Sequence, residues 1–458
     1  MSKLAKALNA ETVLTENGAK AYASTLSSVL DFFFKAPASR GQDLRREFSA
    51  ALAEDTDLAV RALQWLRDAR EGAGERGSFR TLLTYLTEKN PEIASKLVTK
   101  VPELGRFDDL EAFWGTSLER EAALVWLKAM SDDNALAFKW APRKDKKGAK
   151  PLRSIMGMNE QQWRTLVVAN SDTVEQKMCA KKFDSINFEH VPSVAMARYA
   201  KSFAKNCTTF EAYKEKLVSG EAKINAGAIF PHDIVKSCKK GDATTASAQW
   251  DALPNFLEGS LYKNILPVVD CSYSMTCAVS GETTAMDVAV SLGMYCSERS
   301  EGHFKDMFMT FSNNPKLQVL KGTLAQRIQQ LETADWSYST DLQRVFTVIL
   351  RAAVEHSVPA NEMPDVILIP SDMQFNCCGN SDQLYAIRAK FQQAGYEAPK
   401  VVFWQMNARA GGIPMTMDAS GAALVAGFSP SILKSVLSGE IDPMQVMLRT
   451  LNVERYKV

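Results

Sequence analysis

A short apolar run that ends in a carboxylate and two hydroxyls constrains the fold of this chain more than any other feature. Residues 264–269 read as a buried strand, and Asp270, Ser272 and Ser274 follow it directly at alternate positions. Side chains at alternate positions of an extended segment point to the same side. This spacing therefore predicts a group of hard oxygen ligands, of the kind that Mg²⁺ or another divalent cation prefers.

Two later segments contain further oxygen-bearing side chains beside strand-like or helical patterns. Thr340 precedes a predicted helix that extends to about residue 356, and Asp372 follows the apolar strand-like run 365–370. The oxygen-bearing residues singled out in this way are Asp270, Ser272, Ser274, Thr340 and Asp372. The alternative is that Ser272 and Ser274 cap the next helix and that Asp372 is only a turn residue.

The second part of the chain alternates strand-sized apolar runs with helical patterns. From residue 262 onward this alternation predicts an α/β fold with a doubly wound parallel sheet. Ligands of such folds bind at the carboxyl ends of the strands, where the candidate metal ligands lie. We assign residues 256–458 to this domain.

The first part of the chain has a helical pattern and little strand signal. Apolar residues recur at helical spacings from 42 to about 140, with short breaks at glycines and at Asn90. Paired helices with short connections predict an all-α domain of degenerate HEAT-like repeats over residues 1–255, which could close into a ring. The small polar residues of 241–255 form a plausible linker.

The composition of the chain indicates the cellular compartment in which the protein is expected. The chain is 46% hydrophobic and 23% charged, and no apolar run reaches the length of a membrane span. The N-terminus has no secretion signal, and the eight cysteines are scattered without metal-binding spacing. These features predict a cytoplasmic protein with reduced thiols and no membrane partner.

The charge is unevenly distributed. Residues 141–240 contain 19 basic and 10 acidic side chains, a net charge of +9, whereas the flanking segments are net acidic. Such a segment is typical of a surface that contacts nucleic acid, although a solvated helical face beside one basic loop would look the same. The candidate phosphate-binding residues are Arg143, Lys144, Lys146, Lys147, Lys150, Arg153, Lys181, Lys182, Lys201 and Lys205.

Other residues allow two interpretations. Trp140, Trp163 and Tyr199 could stack on bases, but such aromatic residues more often belong to the core. The arginines between residues 67 and 80 could face RNA or pair with the acidic residues among them, and we favour the ion-pair network. Four scattered histidines and the lack of a phosphate-binding glycine loop indicate that the protein is not an enzyme.

The three oxygen-rich segments together resemble the metal-ion-dependent adhesion site of von Willebrand factor A domains. The resemblance implies that Asp270, Ser272, Ser274, Thr340 and Asp372 are the ligands of the metal ion. Helical repeats followed by such a domain resemble the TROVE family, which includes the Ro autoantigen. The segment from Arg67 to Arg80 is similar to one in that family, and more so to one in an uncharacterised family of phage and plant proteins. Residues 139–142, 191–193, 224–225 and 230–233 are also similar to that second family.

The resemblance implies a non-catalytic ribonucleoprotein scaffold with a Mg²⁺-binding A domain. Single-stranded RNA ends would thread the ring, and small structured RNAs would bind its basic outer surface. The open metal position would take a carboxylate from an acidic protein ligand. One alternative is a metal-dependent protein-binding module in a phage or bacterial assembly, and a lesser one is a metal-dependent hydrolase.

Overall fold

Helices dominate the first half of the chain, after a short antiparallel hairpin. The computed structural model describes residues 11–144, 146–311, 315–333, 341–375, 381–408 and 412–458. The hairpin strands are β1 (Thr12–Leu14) and β2 (Lys20–Tyr22). The helices that follow are α1 (Ser28–Lys35), α2 (Arg45–Glu54), α3 (Thr56–Arg67), α4 (Gly77–Lys89), α5 (Pro91–Leu97), α6 (Val101–Leu104), α7 (Glu119–Ser131), α8 (Ala135–Trp140), α9 (Ala149–Ile155), α10 (Glu160–Ala169), α11 (Val174–Cys179), α12 (Ser193–Asn206), α13 (Thr209–Ser219), α14 (Pro231–Lys239) and α15 (Ala243–Asp251).

Local sequence signals explain where several of these helices begin. The Asp55 carboxylate caps α3 by accepting from the Leu58 amide at 2.9 Å. Asn159 and Gln162 form a reciprocal capping box at the start of α10. The layout agrees with the predicted helical region, whereas its HEAT-like repeats stay a prediction. No helix of the described ranges is long and apolar enough to cross a membrane.

The second half is an α/β unit built on a six-stranded sheet. The strands are β3 (Ile265–Val269), β4 (Ala278–Ser280), β5 (Thr283–Thr284), β6 (Met307–Thr310), β7 (Leu317–Val319), β8 (Val366–Ser371), β9 (Lys400–Gln405) and β10 (Ala422–Ala426). The sheet has the order β10-β9-β8-β3-β6-β7, and a separate hairpin pairs β4 with β5. The helices are α16 (Ala285–Arg299), α17 (Leu324–Glu332), α18 (Leu342–Glu355), α19 (Ser381–Gln393), α20 (Leu433–Leu437) and α21 (Pro443–Leu451).

The sheet is mixed, not wholly parallel as the sequence predicted. Strand β7 pairs antiparallel with β6, whereas the other neighbouring pairs of the sheet are parallel. The connection between β6 and β7 spans only residues 311–316, too few for the crossover that a parallel pair requires. The central parallel strands still bring their carboxyl ends to one edge.

The core of the helical region continues into the α/β unit. One apolar cluster extends from Val29 on α1 through Trp126 to Leu368 and Trp404 on the sheet. The opposite face of the sheet, which includes Ile367 and Ile369, is covered by a second cluster. Phe34 of α1 packs into that second cluster, so the N-terminal segment is part of the sheet's covering.

The helical region is attached to the α/β unit at both of its ends. In the N-terminal part of the helical region, Arg455 pairs with Asp68, and the Tyr456 hydroxyl also donates to Asp68 at 3.0 Å. At the C-terminal end of the helical region, Trp250 Nε1 donates to Glu298 at 2.6 Å, and Arg299 donates to the Trp250 carbonyl oxygen. The chain therefore closes on itself through the α/β unit.

The arginines between residues 67 and 80 contribute to an internal ion-pair network, but the partners of Arg67 and Arg80 lie outside the segment and are not the acidic residues predicted. Asp68 and Glu75 instead pair with Arg455 and Arg40. Arg67 and Asp109 are both buried, and their closest atoms are 2.6 Å apart. Arg80 also binds Asp109, at 2.7 Å, and pairs with Asp108 at 3.0 Å. A buried guanidinium needs such partners because an unpaired charge in the interior is costly.

The segments 72–74, 230–233 and 427–431 meet where the helical region closes onto the sheet. Gly74 has φ +69°, and a Cβ there would lie 2.9 Å from the Phe230 ring. The Ser431 hydroxyl donates to the carbonyl oxygen of Gly72 at 3.3 Å. His232 is buried between the rings of Phe230 and Phe428.

Burial makes His232 a source of acid sensitivity. Burial lowers the pKa of His232 below its usual value, Arg40 and Lys236 lower it further, and Asp233 and Asp287 oppose the shift. Since the unfolded chain takes up this proton more readily, the stabilising contribution is present above pH 6.5 and is lost as the pH falls below it.

We therefore expect the thermal stability of His232→Phe to decrease less between pH 7 and pH 5 than that of the unaltered protein. The effect would be at most about 1.4 kcal/mol per pH unit below 6.5. Melting curves across this range measure it, with His190→Gln at an exposed histidine as the matched control. An unchanged acid slope in His232→Phe would show that this ring does not contribute.

Candidate functional site

Three polar side chains lie in register at the carboxyl edge of the sheet. The pairing of β3 with β8 and of β8 with β9 places Asp270, Ser371 and Gln405 side by side. Their alternation puts all three on the face that carries Ile369 and Phe403. Asp372 is the next residue after β8, so it joins the group at the same edge.

Hydrogen bonds connect the candidate ligands. The Asp270 carboxylate accepts from the Ser371 hydroxyl and from the Ser272 amide, the latter at 2.9 Å. The hydroxyl oxygens of Ser272 and Ser274 are 3.0 Å apart. The Ser272 side chain does not cap the 3-10 turn Tyr273–Thr276 that it precedes, in contrast to the alternative considered above.

The two carboxylates lie in an environment that disfavours their negative charge. Asp270 has 0% of its surface exposed and Asp372 has 4%. Burial raises the pKa of Asp270, and burial together with the charge of Asp270 raises the pKa of Asp372 to about 7. A bound cation would remove both penalties, because it replaces the lost water and screens the repulsion.

The side chains present fit a divalent cation. Gln405 is 2% exposed, and no described group donates to its buried Oε1. An amide oxygen without a donor, two carboxylates and two hydroxyls form a set of hard ligands. No three His, Cys, Asp or Glu side chains cluster in the described ranges, so this set depends on its hydroxyl and amide oxygens.

The sequence did not point to every member of this group. Ser371 and Gln405 were missed, since each becomes a neighbour of Asp270 only through strand register. The signal available was that 365–370 and 400–406 are adjacent strand patterns ending in polar residues. Thr340, the remaining predicted ligand, lies outside the described residues.

A second candidate site is a basic cavity of about 830 Å³ in the helical region. Arg143, Lys144 and Lys146 of the predicted loop line it together with Arg164 of α10. The partly exposed Trp140 ring forms part of its wall. Asp108 and Glu111 also line it, and Asp108 is paired with Arg80 and Arg106.

Of the three candidate stacking residues, Trp140 has the most suitable surroundings. The Arg106 guanidinium lies 3.9 Å from the centre of the Trp140 ring and supports it. Trp163 belongs to the core, the interpretation favoured from the sequence, because its ring is fully buried and its Nε1 donates to the Pro142 carbonyl oxygen at 2.8 Å. This bond anchors the start of the basic loop. Tyr199 packs edge-on against Phe203 in a separate cluster.

The remaining basic candidates fall into two groups. Lys147 and Lys150 are exposed beyond the cavity in the same loop and the first turn of α9, and Arg153 is 3.4 Å from Glu160. Lys181, Lys182, Lys201 and Lys205 are exposed on and beside helices that surround the separate cluster of Phe188 and Phe203. The cavity therefore unites Arg143, Lys144 and Lys146, but not the second group.

Comparison with family models divides the chain at the place where the fold changes. Residues 264–455 match a domain of unknown function (DUF7788). Residues 15–104 and 161–259 match a second domain of unknown function (DUF2828). The segment 105–160, which contains the basic loop and Trp140, lies between the matched parts of the second model.

Similar proteins are found by sequence and by structure. The chain is 28% identical to the uncharacterized protein L728 of Acanthamoeba polyphaga mimivirus, over 95% of this chain and 86% of that protein. The structure is similar to the crystal structure of the Ro (RSR) protein of Deinococcus radiodurans, with a TM-score of 0.50 and 15% identity. That match covers 93% of this chain and 99% of the other. The chain therefore has a Ro-like architecture, whereas the phage and plant family stays a prediction.

Proposed function

We propose that this protein is a non-catalytic RNA-binding scaffold. The observation that carries the proposal is the basic cavity, in which Arg143, Lys144, Lys146 and Arg164 surround the accessible Trp140 ring. Cations on flexible side chains beside an aromatic face suit single-stranded nucleic acid. The Ro-like architecture supports the proposal at the level of the fold.

Within the cavity, the basic and the acidic side chains have different roles in RNA binding. The lysines and arginines attract phosphates, whereas Asp108 and Glu111 repel them and can accept hydrogen bonds from the amino groups of a base. Trp140 supplies the stacking surface, and Arg106 fixes its orientation. The basic cavity thus favours single-stranded RNA ends or the loops of small structured RNAs over regular duplexes.

Salt-dependent binding of a fluorescent single-stranded RNA 20-mer tests this function. Affinity should fall steeply and linearly in log–log form between 50 and 300 mM KCl, because counterions are released on binding. Trp140→Ala should weaken binding by about 1–3 kcal/mol while leaving the salt slope nearly unchanged. Affinity that does not depend on salt would contradict an electrostatic RNA interface.

We also propose that the α/β unit is a von Willebrand factor A-type domain with a metal-ion-dependent adhesion site. Asp270, Ser272, Ser274 and Asp372 would hold Mg²⁺ or another divalent cation, with Thr340 as the predicted further ligand. When bound, the ion supplies an electrophilic centre that attracts another oxygen ligand. The buried carboxylates with raised pKa support this assignment, as does the Gln405 Oε1 atom, which accepts from no group in the described part of the chain.

We expect Asp270→Ala to abolish Mg²⁺ binding without unfolding the protein. Isothermal titration and circular dichroism measure the two outcomes, with Glu362→Gln on the exposed turn before β8 as the control. Asp372→Asn should likewise lose the metal, yet in EDTA at pH 8 it should be more stable by about 1 kcal/mol, because one of two repelling buried charges is gone. Unchanged Mg²⁺ affinity in Asp270→Ala would remove the metal assignment.

A second candidate function is capture of an acidic protein at the metal. Tyr273 lies between two of the candidate ligands and is 76% exposed, as an anchor for a partner would be. Tyr273→Ala would weaken such a contact without changing Mg²⁺ affinity. This function is compatible with RNA binding because the two sites lie on different parts of the chain.

A further inference from the structure

The basic cavity has two carboxylates in its wall, and they differ in how fully they are paired. Asp108 and Glu111 both lie on the 3-10 helix Phe107–Phe113 and both line the cavity. Arg106 donates two hydrogen bonds to Asp108, at 2.9 and 2.7 Å, and Arg80 is 3.0 Å from the same carboxylate. Glu111 has one ion-pair partner among the described residues, Arg80 at 3.5 Å, and its side chain is 34% exposed. Asp108 is therefore held by internal partners, whereas Glu111 can accept hydrogen bonds from a ligand.

Contacts between side chains connect Glu111 with the stacking surface. Arg106, which binds Asp108, also lies 3.9 Å from the centre of the Trp140 ring. Arg80 in turn links Asp108 to Glu111. Trp140 and Glu111 line the same cavity of about 830 Å³, a volume typical of small-ligand pockets and sufficient for a nucleotide. A base stacked on Trp140 therefore shares its cavity with a carboxylate that is free to bind it.

Guanine is the base whose edge suits a carboxylate best. Its N1–H and its 2-amino group are adjacent donors, and a carboxylate can accept from both through its two oxygens. Adenine and cytosine present one amino group beside a ring nitrogen acceptor, and uracil presents N3–H between two carbonyl oxygens. Each of these edges would place an acceptor against the Glu111 carboxylate, and this repulsion disfavours them. The lysines that line the same cavity can also donate to guanine O6.

The electrostatic surroundings of Glu111 favour a ligand with two donors. Partial burial raises the pKa of Glu111, and the charge of Asp108 raises it further, although Arg80 opposes the shift. The carboxylate has thus lost part of its hydration and lies near a like charge. Two N–H donors from a base would replace the lost water.

We propose that the cavity selects an unpaired guanine and that Glu111 determines this specificity. The inference rests on the proposed RNA-binding function and names the base that the cavity accepts. Trp140 stacks on the guanine ring, and Glu111 accepts from its N1–H and 2-amino groups. Arg106 and Asp108 position the ring of Trp140. The cations of the loop bind the flanking phosphates, which carry no sequence information.

Anisotropy titrations of the full chain with four fluorescent RNA 7-mers test the proposal. Each RNA consists of uridine except for its central base, which is guanine, inosine, adenine or uridine. Inosine keeps N1–H but lacks the 2-amino group, so it measures the contribution of the second hydrogen bond. We expect the guanine RNA to bind about tenfold more tightly than the adenine and uridine RNAs, with inosine between them.

Glu111→Gln should remove this preference, because a carboxamide accepts through one oxygen only. The same change should strengthen binding of the all-uridine RNA, because it removes a negative charge beside the phosphate-binding lysines. A variant that had merely lost its fold would bind every RNA more weakly, so opposite changes distinguish recognition from unfolding. Glu121→Gln alters an exposed carboxylate on α7 and should bind all four RNAs as the unaltered protein does.

Two contrary outcomes have different meanings. Equal binding of the guanine and adenine RNAs by the unaltered protein would overturn the guanine specificity and leave the RNA interface standing. A guanine preference that persists in Glu111→Gln would likewise overturn the role of Glu111. If the unaltered protein bound none of the four RNAs in a salt-dependent manner, both the specificity and the RNA-binding function would be overturned.

Discussion

Asp109→Ala is expected to destabilise the protein by about 3–5 kcal/mol, since it leaves a buried guanidinium without its partner. The carboxylate of Asp109 has 0% exposure and binds Arg67 and Arg80 at 2.6 and 2.7 Å. Chemical denaturation followed by circular dichroism measures the loss. A shift in midpoint at constant slope would show that the native state was weakened.

Two further variants separate the cost of an unpaired charge from the value of the pair. Asp132→Ala removes an exposed carboxylate at the end of α7 and should change stability by less than about 0.5 kcal/mol. The double variant Arg67→Met/Asp109→Leu should recover much of the loss, because both buried charges are gone. A double variant no more stable than Asp109→Ala would show that the network is needed for its geometry.

Neutralising Lys144, Lys146, Lys147 and Lys150 to glutamine should weaken RNA binding roughly a hundredfold at 0.15 M salt, if each contacts one phosphate. The same change should lower the slope of log affinity against log salt by up to about 3 on single-stranded RNA. The physical reason is that fewer counterions are released. Anisotropy titrations of the same 20-mer over a salt series measure both quantities.

The chain offers a control that removes equal charge elsewhere. Glutamine at Lys181, Lys182, Lys201 and Lys205 lowers the net charge by the same amount on helices away from the cavity. We expect a much smaller loss from this set. Equal losses in both variants would mean that net charge, not the loop, determines binding.

The candidate metal site was predictable where its ligands follow one another in sequence. Asp270, Ser272 and Ser274 are read directly from their alternation, and Asp372 from its position after a strand. Gln405 could not be found in this way, because it becomes a neighbour of Ser371 only through the register of β9 with β8.

Patterning predicted the helical region and the sheet better than it predicted the surroundings of single residues. The apolar runs that form β3, β8 and β9 were correctly predicted as strands. Strands buried on both faces have nearly continuous apolar sequences, which are easy to recognise. The sequence could not show which of Trp140 and Trp163 is covered, since a large aromatic on a helix gives no signal of which face is buried. Only the fold shows that Trp163 Nε1 holds the basic loop.

Ultraviolet crosslinking in the cells that naturally produce the protein, followed by sequencing of the bound RNA and mapping of the crosslinked peptides, tests the central claim most directly. The account predicts an enriched set of RNAs, joined to peptides that contain Trp140 and the basic loop. Background RNA alone, with no crosslink between residues 139 and 164, would contradict it.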